Sequence, residues 1–218
     1  MDEKQYFTEL EESINKILSS KALKKLIVAG PGTGKTTFFR KAIEYYGGNK
    51  QNYLALTFIN NLEEELRKDL GTISKVYTFH GYCHYLLRRY ENLRLGLQSN
   101  FEYYPPLIKL IKSDWEIIKQ KEVPLFSIQM RNTTDDGSLE FFMNRGNYYN
   151  AVGYDDSVYR VFKSLSGGES FMDKYKLVIV DEYQDFNKLE TSVLSYISDC
   201  NPTLIVGDDD QAVKYPIF

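Results

Sequence analysis

Eight residues near the start of the chain, Ala29-Gly30-Pro31-Gly32-Thr33-Gly34-Lys35-Thr36, restrict its fold more than any other stretch. They follow a brief apolar run, Leu26-Ile27-Val28-Ala29, of the kind expected of a buried parallel strand. They open a helical pattern from Thr36 to Tyr46, which Gly47-Gly48 stops. Strand, glycine-rich turn and helix in that order make a Walker A loop, here with Ala in place of its first Gly. The chemistry requires this layout. Glycines let successive backbone N–H groups turn inward onto phosphate oxygens, and the helix N-terminus adds positive potential. Gly30, Gly32, Thr33, Gly34, Lys35, Thr36 and Thr37 are therefore the expected nucleotide-binding residues. Lys35 would neutralise the β- and γ-phosphates, and the Thr36 hydroxyl would complete a Mg2+ shell. An ordinary glycine-rich turn is the competing reading, and the strand and helix on either side weigh against it.

The alternation repeats. Tyr53 to Phe58 and Ile73 to Tyr77 read as strands, Leu62, Leu66 and Leu70 as the buried stripe of a helix capped at Asn61, and Phe79 to Tyr90 as another helix. Later come Leu177-Val178-Ile179-Val180, a helix from Asn187 to Asp199 capped by Asn187 with Glu190, and Thr203 to Val206. Thr8 with Glu11 is a capping-box pattern, so an amphipathic helix carrying Leu10, Ile14, Ile17 and Leu18 comes first. Strands alternating with helices specify the α/β class, a parallel sheet with helices on both faces. Residues 91–153 break the pattern. Pro105-Pro106 opens a helix with Leu107, Ile108, Leu110, Ile111, Trp115 and Ile118 on its apolar side, while Phe126 to Met130 and Leu139 to Met143 flank Asp136-Gly137, which predicts a small hairpin. An inserted, mainly helical subdomain is expected there.

A phosphate loop needs a carboxylate at the end of a neighbouring buried strand, and Val178-Ile179-Val180-Asp181-Glu182 supplies two. Asp181 would hold Mg2+, through water or directly, and Glu182 would orient and deprotonate the attacking water. An Asp-Glu pair alone is a weak signal, because acidic strand ends are often merely solvated. Coupled to the Walker A loop it specifies an ATPase.

Composition narrows the setting. With 27 Lys and Arg against 30 Asp and Glu the net charge is −3, so any nucleic-acid contact must come from a local groove. The 18 Tyr and 13 Phe could stack bases, although aromatics more often pack in cores. Cys83 and Cys200 stand far apart, as reduced thiols do. A polar, acidic start and the lack of a long apolar run point to a cytoplasmic protein with no membrane span.

Asp181-Glu182-Tyr183-Gln184-Asp185 resembles the D-E-x-Q-D motif of UvrD/Rep/PcrA-type superfamily 1 DNA helicases. Gly207-Asp208-Asp209-Asp210-Gln211 resembles that family's third motif, Ala55-Leu56-Thr57-Phe58-Ile59-Asn60 its motif Ia, Thr78-Phe79-His80 its motif Ib, and Tyr154-Asp155-Asp156 its Y/F-D-D element. The resemblance implies a P-loop NTPase (RecA-like) ATP-binding domain over residues 1–90 and 154–218, with 91–153 as an inserted accessory subdomain. It implies ATP and Mg2+ as cofactors and Lys35, Asp181, Glu182 and Gln211 as catalytic residues, Gln211 sensing the γ-phosphate. It implies Thr57, Phe58, Asn60, Thr78 and His80 at a groove for single-stranded or partly duplex DNA. For Phe58 a core side chain, and for His80 an ordinary helix-capping residue, are the alternative readings.

The departures carry expectations too. No clear adenine-reading Gln motif precedes the loop, Thr37 stands where the family usually has Arg, and the chain stops soon after the third motif. The family's second RecA-like domain, with its arginine fingers, is expected to come in cis or in trans, leaving this chain a slow ATPase and an incomplete motor. The competing function is a stand-alone nucleotide-dependent module that regulates a protein partner. A small-molecule kinase is a third, and it leaves the D-E-x-Q-D and Thr-Phe-His elements unexplained.

Overall fold

A computed structural model describes residues 3–30, 33–58, 60–171 and 173–207, with the side chains of 3–7 and 60–62 left out of the description. In chain order the elements are α1 (Glu3–Ser19), β1 (Lys24–Val28), α2 (Lys35–Tyr46), β2 (Tyr53–Thr57), α3 (Asn60–Leu70), β3 (Lys75–Thr78), α4 (Phe79–Arg89), β4 (Glu102–Tyr103) and α5 (Leu107–Lys119). Then follow α6 (Phe126–Arg131), α7 (Ser138–Tyr149), β5 (Ala151–Val152), α8 (Tyr154–Ser166), β6 (Leu177–Val180), α9 (Lys188–Cys200) and β7 (Thr203–Gly207). The protein is α/β, with a parallel central sheet flanked by helices, as in P-loop NTPases. Packing divides it into two compact units. Among the described residues one comprises those up to Thr78, Lys174–Asp185 and those from Ile197 on, and the other Phe79–Asp173 and Phe186–Tyr196.

The first unit holds a five-stranded sheet in the order β1-β7-β6-β2-β3, every pairing parallel. Alternate side chains of a strand share a face, and here one set is Ile27, Tyr53, Ala55, Val76, Leu177, Ile179, Leu204 and Val206. It packs against Ile14 and Leu18 of α1, Phe38, Phe39, Ala42 and Ile43 of α2, and Leu66 and Leu70 of α3. Burial of Val, Leu and Ile side chains is worth about 1.5–3 kcal/mol each, so this face anchors the three helices to the sheet. The opposite set includes the fully buried Leu54, Leu56, Val178, Val180 and Ile205, so β2, β6 and β7 are apolar on both sides, as interior parallel strands must be. All five strands point the same way, and their C-terminal ends line one edge.

The second unit is mainly helical, with β4 and β5 paired in parallel, Glu102 opposite Ala151 and Tyr103 opposite Val152. The hairpin expected around Asp136-Gly137 does not form. Both flanks are helices, α6 and α7, because their apolar residues recur at helical rather than alternate spacing: Phe126 with Met130, and Leu139 with Phe142, are buried. The Asp-Gly pair starts a helix instead of turning a strand. The Asp136 carboxylate accepts the Ser138 N–H at 3.0 Å and Asp135 accepts the Gly137 N–H at 2.8 Å. Trp115 of α5 sits edge-on to Phe126 and Phe141, with centroids 5.8 and 5.0 Å away, and closes this small core.

Candidate nucleotide site

The C-terminal edge of the parallel sheet is where ligands bind in open α/β folds, and here it gathers the residues that the motifs singled out. Ala29, just past β1, donates its N–H to the Gly207 carbonyl at 2.9 Å, which carries the β1–β7 ladder into the start of the loop. Thr33 folds its hydroxyl back onto the Gly30 carbonyl at 2.8 Å. Gly34 has φ 82°, a left-handed conformation that costs a side-chain-bearing residue, and its carbonyl then accepts the Phe38 N–H at 3.0 Å as α2 begins. The loop therefore delivers Lys35 and Thr36 on the first turn of a helix whose far side, Phe38 and Phe39, is fixed in the core.

Across the edge, β6 ends at Val180 and hands over Asp181 and Glu182. The Lys35 ammonium donates to Glu182 Oε1 at 2.5 Å and lies 3.9 Å from Asp181 Oδ1. Gln184 donates through Nε2 to Glu182 Oε2 at 2.6 Å, so both oxygens of that carboxylate are held. Glu182 itself has φ 52°, the left-handed region, at a cost of order 1–3 kcal/mol that marks functional turns. Burial pushes the Asp181 carboxyl up to about 6, with Lys35 opposing and the Glu182 charge reinforcing that rise. Burial acts in the same upward direction on Glu182, but the hydrogen bonds from Lys35 and Gln184 outweigh it and hold this carboxyl below its ordinary range. The pair thus has opposite tendencies at adjacent positions.

The donor set suits a nucleotide with a hard cation. Asp181 and the Thr36 hydroxyl are oxygen ligands of the kind Mg2+ takes, and a buried carboxyl with a raised pKa regains its charge beside a cation. A cavity of about 650 Å³ opens beside the loop, lined by Leu10, Ser13 and Ile14 of α1, Thr33 and Lys35, and Phe38 of α2. That is ample for a nucleoside.

The remaining motif residues are placed as follows. Thr57 and Thr78 are register partners at the ends of β2 and β3, and both are buried, Thr57 completely. Phe58 follows half-buried. His80, on α4 in the second unit, is 7% exposed and stacks on Tyr154 at 3.7 Å. Gly32 and Gln211 lie outside the described residues, as does the side chain of Asn60. Sequence reasoning gave Gln184 and Gly207 no role. Gln184 stood inside the quoted Asp181–Asp185 run, and only the folded backbone reveals what it touches.

A family model described as an AAA domain (AAA_19) matches residues 11–215. The ATP-dependent DNA helicase PcrA of Staphylococcus epidermidis (strain ATCC 35984 / RP62A) is 28% identical over 233 aligned positions, covering 86% of this chain and 31% of the relative. PcrA of Staphylococcus aureus (strain NCTC 8325) is 27% identical over 230, with the same coverage. The chain thus spans about a third of the length of these curated relatives. Among the described residues no helix is long and apolar enough to cross a membrane.

Proposed function

We propose, from the premise that this chain belongs to the AAA domain family (AAA_19) as a UvrD/PcrA-like superfamily 1 helicase N-terminal domain, that it binds and hydrolyses ATP as one half of a DNA-driven motor. The observation that carries this reading is the 2.5 Å contact between the Walker A lysine and the carboxylate of Glu182. It sets the phosphate countercharge and the base within one hydrogen bond of each other.

From that resting arrangement the chemistry follows. On nucleotide binding Lys35 exchanges Glu182 for the β- and γ-phosphates, which frees Glu182 Oε1 to accept a proton from a water. In the resting site the hydrogen bonds from Lys35 and Gln184 outweigh burial and hold Glu182 below its ordinary pKa, so it is ionised at neutral pH before nucleotide arrives. Asp181 and Thr36 would hold Mg2+, whose bound charge offsets that building on the phosphate oxygens. Gln211 in this reading senses the γ-phosphate, while Thr57, Phe58, Asn60, Thr78 and His80 belong to a groove for single-stranded or partly duplex DNA. The buried positions of Thr57 and His80 favour a supporting role for them rather than direct contact. A second RecA-like domain or subunit completes the site with arginine fingers, worth about 10³–10⁵ in rate, so turnover by the 218 residues alone is slow.

The test is steady-state ATP hydrolysis with and without single-stranded DNA, beside a Lys35→Ala control. Slow turnover that DNA stimulates and Lys35→Ala abolishes is the expected result. MgATP binding with no turnover would turn the assignment to a nucleotide-dependent binding module. Unchanged nucleotide affinity in Lys35→Ala would remove the site altogether.

A further inference from the structure

Glu182 has two fixed donors in the resting site, and nucleotide must take one away. Lys35 is needed at the phosphates, and its bond to Oε1 at 2.5 Å is the one that breaks. The bond that remains is from Gln184 Nε2 to Oε2 at 2.6 Å. Gln184 is well placed to persist. The residue is 6% exposed, and it sits in the short 3-10 turn Tyr183–Asp185 that follows Glu182 directly. The far end of its amide, Oε1, lies against the end of β7: a Cβ built on Gly207 would meet Gln184 Oε1 at 2.8 Å, closer than real contacts allow. The same Cβ would stand 3.6 Å from the Gln184 backbone nitrogen and from Tyr183 Cβ, which is ordinary contact. Only the side-chain amide is crowded, so a methyl group there displaces the amide and leaves the backbone where it is.

We infer that Gln184 is the positioning residue that keeps Glu182 aimed at the attacking water once Lys35 has moved to the phosphates, and that Gly207 is glycine to leave room for it. The inference rests on the reading of Glu182 as the base. It ties the aim of that base to the last residue of β7, so a shift of the chain at the end of β7 reaches Glu182 through one amide. In this reading Gln184 acts on Glu182 rather than on the phosphates. Its loss changes the fraction of bound nucleotide that reacts and leaves binding intact.

Two measurements on the full chain test this. The first follows the Gln184 side-chain amide resonances by NMR, in wild type and Gly207→Ala, with and without the magnesium complex of a non-hydrolysable ATP analogue. The wild-type resonances should keep a hydrogen-bonded position when the analogue is bound, and Gly207→Ala should move them to the position of a free amide. A free-amide position in wild type with the analogue bound overturns the inference. The second compares turnover by wild type, Gln184→Ala, Gly207→Ala and the double variant. Each single change should lower kcat on the order of 10- to 100-fold while KM for ATP moves less than about twofold. In the double variant Gly207→Ala should add nothing, since the amide it displaces is already gone. Losses that multiply, or a raised KM with kcat intact, overturn the inference. If wild type shows no turnover the hydrolysis reading fails, and the resonance measurement still decides where Gln184 holds.

Discussion

His80 and Glu190 meet in the second unit with their polar atoms 3.4 Å apart, each less than a tenth exposed. The surroundings disfavour charge on both. Burial pushes His80 down to about 4, with Asp155 pulling upward and Arg131 pushing further down. Burial pushes Glu190 up to about 7 against the hydrogen bond from the Asn187 backbone, with Asp155 adding to the rise. Cys83, fully buried, feels the Glu190 charge too. The two groups have opposite linkage. Glu190 holds its proton longer when folded, so its ionisation erodes stability as pH rises from about 4.5 to about 7. His80 loses its proton earlier when folded, so it erodes stability as pH falls from about 6.5 to about 4. Glu190→Gln isolates the first effect, because the new amide oxygen can still accept the Asn187 N–H that Glu190 Oε2 accepts at 2.8 Å. The variant should melt close to wild type at pH 5 and on the order of 5–10 °C above it at pH 8. An equal gap at both pH values would mean that Glu190 is ionised throughout. None of this was legible in Thr78-Phe79-His80, since a linear motif cannot show which of its residues the fold encloses. Thr57 teaches the same lesson: its hydroxyl is buried with no hydrogen-bond partner among the described residues.

Among the elements, the five strands of the main sheet and the Walker helix were readable because glycine and strand–helix alternation punctuate them sharply, while the two-residue strands β4 and β5 were not. The α9 cap was readable too: Asn187 and Glu190 exchange backbone-to-side-chain bonds at 2.8 and 3.1 Å, as their spacing of three residues implies. Residues 126–149 were not, because short apolar runs fit strand and helix alike, and Asp-Gly serves both a hairpin turn and a helix start. What fixes α8 was equally invisible. Arg160, completely buried, donates to Asp156 at 3.0 Å, to Asn147 of α7 at 2.8 Å and to the Arg94 carbonyl at 3.0 Å. One guanidinium thus ties α8 to α7 and to the turn after α4. Burial raises the Asp156 carboxyl and Arg160 counters it, so Arg160→Ala leaves a buried acid with its partner removed. We expect a loss of about 3–5 kcal/mol, read by urea unfolding. A loss under about 1 kcal/mol would show that water replaces the guanidinium.

On the scale of the whole molecule, packing pairs α4 with α8 across a long stretch of sequence, and this pairing defines the second unit as much as the helices of 91–153 do. Strand–helix alternation carries no trace of such a pairing, which is why sequence and packing divide the chain by different criteria. Lys35, Thr36, Asp181 and Glu182, proposed for the nucleotide, all lie in the first unit, and this gives a spatial prediction. A ligand that binds the folded state alone stabilises it by about 2.7 kcal/mol at a hundredfold excess over Kd. MgATP should therefore slow amide exchange in the loop before α2 and in Asp181–Asp185, and Lys35→Ala should show no such slowing. Protection confined to the second unit would place the nucleotide elsewhere.

One of the sheet's two outer strands has a bearing on how such a chain can be handled. Among the described residues β1 pairs on one side only, with β7. Its face away from the helices shows Leu26 and Val28 at 56% and 61% exposure, with Leu23 beside them at 64%. An outer strand beside bare aliphatic side chains makes a template for another strand, and a net charge of −3 offers little repulsion against it. A lysine at position 26 is the substitution expected to make that five-residue border a poorer template, read as less self-association of the variant than of wild type.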